Sequence, residues 1–120
     1  KVSSPFKVNG LAQELAIEAL KDREHIKKSI EFLNMERGYL IQELEKLGLP
    51  YTKSVTTNFL VNIEKLGKVD GVIQKLWARG VLVTNAVFFR VPENRYIRVA
   101  VSTKKENRYF IKIIKEIMNK

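Results

Sequence analysis

"RYIRVAVST", residues 95–103, repeats with period two: Tyr96, Arg98, Ala100 and Ser102 fall on one face and Ile97, Val99 and Val101 on the other. Such alternation predicts a β-strand with one apolar face buried and the other open. Arg98 then stands in mid-strand on the open side, next to the small Ala100. A guanidinium holds its charge at any working pH and presents a planar fork of donors, so this position suits either solvent or the floor of an anion site.

Downstream of this strand the period lengthens to that of a helix. From about Lys104, Phe110, Ile113, Ile114 and Ile117 share one side, while Lys105, Arg108, Lys112 and Lys115 share the other. Upstream, the turn "PENR" separates it from "VLVTNAVFFRV", which predicts a strand followed by a less regular segment. Before that, "KVDGVIQKLWARG" has helical spacing through Val69, Ile73, Leu76 and Trp77, with Asp70 at its start and Gly80 to close it. "NFLVNI", residues 58–63, sets Phe59, Val61 and Ile63 against Asn58, Leu60 and Asn62 and reads as another strand.

Two helices precede it. "NGLAQELAIEALKD" places Leu11, Leu15 and Leu20 with Ala12, Ala16 and Ala19 on one stripe behind an Asn9-Gly10 start. Residues 24–47 carry a four-three stripe of Ile26, Ile30, Leu33, Leu40, Leu44 and Leu47, broken at Arg37. Asp22 can cap this long helix, and Gly48 and Pro50 end it. The break argues against a coiled coil and makes Arg37 a candidate for a structural ion pair. The order helix, helix, strand, helix, strand, strand, helix, with no repeat or linker, predicts an α+β domain, a small sheet covered by helices. One domain over 1–120 is expected, with 1–22 an entry segment and short helix and 23–120 the sheet and helix core.

Composition bounds the chemistry. The chain has 120 residues, 45% of them hydrophobic, enough for a core without metal or disulfide support. It has no Cys, which removes thiol catalysis and Cys-ligated zinc. Its longest apolar run, "AVFF", is too short to span a bilayer, and no segment has the pattern of a signal peptide, so a soluble, cytoplasmic protein is expected. The first residue is Lys1 rather than Met, as expected of a piece of a longer protein. His25 is the one histidine, on the polar face of the long helix, where a surface role is expected. Most Glu residues lie beside Lys on helix exteriors, as in "ELEKLG", and read as solvated pairs. No glycine-rich phosphate loop, zinc spacing or serine elbow is present. Catalysis by this chain alone is not expected, and no metal site is.

Four stretches taken in order resemble fold type I pyridoxal-phosphate-dependent aminotransferases, in their C-terminal small domain and most like the histidinol-phosphate aminotransferase branch. They are "PFKVNGLAQELAIEALKD", "RGYLIQELEKLGLPYTKSVTTNFLVNI", "LWARGVLVTNA" and "YIRVAVSTKKEN", and they cover nearly the whole chain. The resemblance implies a mainly antiparallel sheet. It gives Arg98, the arginine of the family's "IR" strand, the role of binding the substrate's carboxylate. Asn58 and Thr84, near strand ends, are weaker substrate-binding candidates.

The chain departs from the family at several places, Lys7 standing where many members have Asn. Thr84 stands where a second arginine is common, Ser102-Thr103 replaces a Gly-Thr, and Phe88 to Arg90 replace a loop glycine. The family's Schiff-base lysine and other residues for pyridoxal phosphate lie in its larger domain, so the resemblance implies that this chain holds no catalytic or cofactor-binding residue. It implies an amino acid or 2-oxo acid as substrate and a homodimer as the full enzyme. The formal net charge of +9, with Phe88, Phe89 and Tyr96 as stacking residues, leaves a nucleic-acid-binding module as the alternative, although the aromatic signature of an RNA-recognition sheet is absent. A non-catalytic fragment that associates with another chain is the third reading.

Overall fold

The computed structural model describes residues 7–91 and 93–119. Their contacts divide the chain into two compact units between Phe32 and Leu33. The first holds α1 (Gly10–Ala19) and the opening turns of α2 (Arg23–Lys46). Both helices start on side-chain caps: Asn9 accepts the Ala12 N–H at 2.8 Å and Asp22 accepts the His25 N–H at 2.9 Å, each relieving an orphan donor of the first turn. The apolar stripe of this unit is uncovered, with Leu11, Leu15, Leu20 and Ile30 all more than half exposed. His25 is exposed, as its place on the polar face predicts.

The second unit carries the rest of α2, β1 (Asn58–Asn62), α3 (Val69–Trp77), β2 (Thr84–Asn85), β3 (Tyr96–Ala100) and α4 (Lys104–Met118). Short 3-10 turns lie at Glu64–Leu66 and Ala86–Phe89. The predicted order of helices and strands is the observed one. The sheet has the order β1-β3-β2 and is antiparallel throughout. β3, the strand of Arg98, is therefore central.

Alternation sorts the two faces. Phe59 pairs with Val99 and Val61 with Ile97, and all four are buried. Leu40 and Leu44 of α2, Val72, Ile73 and Leu76 of α3, and Phe110, Ile113, Ile114 and Ile117 of α4 join them in one core. Each fully buried Leu or Ile contributes about 1.5–3 kcal/mol, so this face dominates the stability of the unit. The opposite face, Asn58, Leu60, Asn62, Thr84, Tyr96, Arg98 and Ala100, is half-buried or exposed.

Helix ends follow the sequence signals. Gly48 (φ 63°) and Gly80 (φ 74°) close α2 and α3 in left-handed conformations that a side chain would strain. At the second of these, Val81 donates its N–H back to the Leu76 carbonyl at 3.0 Å. That bond belongs to the helix end, so residues 81–83 do not join the sheet and the predicted strand shrinks to Thr84–Asn85. On the other side of β2, Asn85 Oδ1 accepts the Val87 N–H at 3.1 Å and starts the 3-10 turn at once. Trp77, expected on the inward stripe, is instead 53% exposed, and its indole N–H donates to the Val83 carbonyl at 3.1 Å. α4 begins with a reciprocal cap, Thr103 Oγ1 accepting from the Glu106 N–H and Glu106 Oε2 from the Thr103 N–H.

Two glutamates depart from the solvated pairs expected of them. Glu36 is buried and accepts from Asn107 Nδ2 at 2.9 Å and Arg108 Nη1 at 3.4 Å. Glu43, also buried, takes Lys115 and Lys46 at 2.6 Å each, and these ammonium groups, Lys115 first, hold its carboxyl below the ordinary range. Both pairs tie α2 to α4 across the core edge, where an unpaired carboxylate would be costly. No helix among the described residues is long and apolar enough to cross a membrane.

Candidate functional site

The open face of the sheet brings the three sequence-predicted residues together. Thr84 of β2, Arg98 of β3 and Leu60 of β1 lie in one row across the strands, and Asn58 stands opposite Ala100, one step along the same face. Directly opposed side chains in antiparallel strands have Cβ atoms about 4.5–5.5 Å apart, so Thr84 and Arg98 are immediate neighbours. Ala100 leaves open the space beyond Arg98 toward Asn58, since both it and Arg98 are exposed.

Arg98 has no hydrogen bond or ion pair to any described residue. Its one aromatic contact is with Phe89, whose ring centroid lies 4.3 Å below the guanidinium carbon. Most other arginines here are engaged. Arg95 holds Glu93 at 2.7 Å and Glu64 at 3.6 Å, Arg79 approaches Glu116 at 3.7 Å, and Arg108 reaches Glu36 while stacking on Tyr39. A charged fork on a central strand, facing outward with its donors unused, can accept a carboxylate without first breaking an internal pair.

The flanking candidates are less committed. Thr84 is half-buried and offers one neutral hydroxyl. Asn58 donates from Nδ2 to Thr57 Oγ1 at 3.1 Å. The segment before Asn58 is fastened by Arg37, which forms no ion pair among the described residues. Its Nη2 donates to the carbonyls of Val55 at 3.2 Å and Thr56 at 2.6 Å, and its Nη1 to Asn34 Oδ1 at 3.1 Å. The expected ion pair is thus a carbonyl bracket: the loop ahead of β1 leaves unpaired carbonyls beside α2, and five donors on one plane suit them. Asn107 does similar work at the exit of β3, accepting the Ser102 N–H at 3.0 Å and donating to the Ser102 carbonyl at 2.8 Å.

Two residues at the site were not assigned to it from sequence. Phe89, a base-stacking candidate only in the nucleic-acid alternative, lies against Arg98 of its own chain. Asn85 sets where Phe89 falls. Its Oδ1 caps the turn, and its Nδ2 donates to Asn94 Oδ1 at 2.9 Å and Asp70 Oδ1 at 3.3 Å. An Asn at the end of a strand followed by Ala-Val is an Asx-turn signal that could have located the turn, though not the ring's contact. No strand residue is a lysine. Nothing on this face fits covalent attachment of pyridoxal phosphate, and no step through that cofactor is assigned to it.

The family model for class I and II aminotransferases matches residues 1–114. The chain belongs to this family. Among aminotransferase relatives, it is 36% identical over 118 residues to the histidinol-phosphate aminotransferase of Caldicellulosiruptor saccharolyticus and 34% identical to that of Moorella thermoacetica. Each match covers 98% of this chain but only 32% and 30% of those proteins, so the chain spans about a third of the length of the curated relatives it matches. A protein of Caldanaerobacter subterraneus described as a putative threonine-phosphate decarboxylase is 32% identical over 92% of the chain. The fold agrees: the histidinol-phosphate aminotransferase structure from Clostridium acetobutylicum superposes with a TM-score of 0.84 at 24% identity, covering 98% of this chain and 35% of that one. The four helices and small antiparallel sheet are thus those of a fold type I aminotransferase.

Proposed function

We propose that this chain is the small domain of a pyridoxal-phosphate-dependent aminotransferase, similar to histidinol-phosphate aminotransferases, that moves an amino group between an amino acid and a 2-oxo acid. Arg98 binds the carboxylate of that substrate, with Thr84 and Asn58 beside it. Pyridoxal phosphate, when bound by the remainder of the enzyme, supplies the electron sink, and this chain contributes orientation of the substrate. The Schiff-base lysine lies outside the chain, so these 120 residues alone are inactive. The complete enzyme works as a homodimer in the cytoplasm.

One observation carries the proposal: Arg98 is the charged residue of the central strand on the open face, and no acid among the described residues pairs with it. Two charge-assisted bonds from one planar group fix both the position and the tilt of a carboxylate, which a Lys cannot do. The test is Arg98→Gln in the full-length enzyme. Loss of such a charged hydrogen bond, about 1.5–3 kcal/mol, lowers kcat/KM for the amino acid roughly 10- to 100-fold, with Arg98→Lys between the two and cofactor content unchanged. Equal kcat/KM in wild type and Arg98→Gln would remove Arg98 from the role.

A further inference from the structure

We infer that Phe89 is a positioning residue for the anion site, holding the Arg98 guanidinium by one face so that its edge is left for the substrate carboxylate. The inference rests on the reading of Arg98 above and adds the element that aims it. A guanidinium has two faces and one rim of N–H donors. The guanidinium carbon lies over the Phe89 ring, 4.3 Å from its centroid, where the cation is attracted by the ring quadrupole. No described residue accepts a hydrogen bond from Arg98, so its planar fork of donors stays available for bidentate binding.

The backbone is arranged to place this ring. β2 stops after Asn85, whose side chain caps the 3-10 turn Ala86–Phe89 and reaches both Asp70 at the start of α3 and Asn94 ahead of β3. Ala86, the first residue of the turn, is fully buried and pins it to the core. The turn ends on Arg90, at φ 61° the one non-glycine residue with positive φ among the described residues. A left-handed conformation is uncommon for a branched-free but bulky side chain, and it reverses the chain immediately after Phe89. Phe88, the adjacent ring, is 80% exposed, whereas Phe89 is 47% exposed; of the two, Phe89 is the ring in contact with Arg98.

Without the ring, the long arginine side chain samples several rotamers from a strand position whose cross-strand neighbours are Leu60 and Thr84, and binding must then order it. The full-length holoenzyme with propionate as a carboxylate probe, followed by isothermal titration, tests this. Phe89→Leu keeps an apolar side chain and removes the ring face, and is expected to weaken propionate binding roughly two- to fivefold, the size of an exposed cation–π contact. Phe89→Tyr, which keeps the face, restores wild-type affinity, and Tm is the same in all three proteins. A structural role alone would lower Tm and would not be rescued by Tyr. If Phe89→Leu binds propionate as wild type does while Arg98→Gln has lost it, the positioning role is wrong and the carboxylate role stands. If propionate binds equally well to wild type and Arg98→Gln, or to neither, the carboxylate role itself fails and this inference with it.

Discussion

The two faces of β3 have opposite fates. Ile97 and Val99 are sealed beneath helices, while Arg98 and Ala100, their neighbours along the chain, stand open. Both follow from one alternation, yet only the buried face contributes much to stability and only the open face offers chemistry. The difference teaches that in this strand fold and function are separable at single-residue resolution. A substitution should therefore damage one property and spare the other.

The largest effect belongs to the buried face. Ile97→Ala, at a position with no exposure, removes packed methylenes and is expected to cost about 2–5 kcal/mol, read as a lower denaturation midpoint. In whatever fraction stays folded, kcat/KM should change little. Arg98→Gln should do the reverse, with its loss of kcat/KM accompanied by an unchanged midpoint. A midpoint that falls with Arg98→Gln as far as with Ile97→Ala would dissolve the contrast between faces.

A smaller effect tests the strand's exit. Thr103→Ala removes the cap of α4 and should cost about 1 kcal/mol by urea denaturation. Activity should be preserved, because Asn107 still brackets Ser102 on both backbone groups. The smallest effect is on acid stability. The Glu43 carboxyl is held below its ordinary value of 4.5, chiefly by its bond to Lys115 and then by Lys46. A depressed pKa stabilises the fold above the unfolded value and loses that contribution as pH falls through the folded one. Glu43→Gln should thus be less stable than wild type near neutral pH, and the gap should narrow as pH falls below the ordinary carboxylate range. A constant gap over that range would show that the ion pairs contribute no pH dependence.

The sequence carried strands β1 and β3 through periodicity, because a period of two is a local property of residues 96–100 and 58–62. It carried the ends of α2 and α3 through Gly48 and Gly80, whose positive φ values are likewise local. What it did not carry depends on elements distant in the chain. Glu36 and Asn107 sit 71 residues apart, and their bond exists only once α2 and α4 are packed. Arg37 met carbonyls 18 and 19 residues away, where an acid had been expected. At the site, Arg98, Thr84 and Asn58 lie on separate strands, and their common face needs the β1-β3-β2 order to assemble it. Phe89 was out of reach because its contact depends on a backbone reversal at Arg90, which no propensity marks.

Whether the Arg98 fork receives the substrate's carboxylate is read from a crystal structure of the full-length enzyme with a 2-oxo acid bound. Two guanidinium nitrogens of Arg98 are expected at about 2.7–2.9 Å from the two carboxylate oxygens, with the Phe89 ring still beside it. A bound 2-oxo acid whose carboxylate lies on other donors, with Arg98 turned to solvent, would contradict that role.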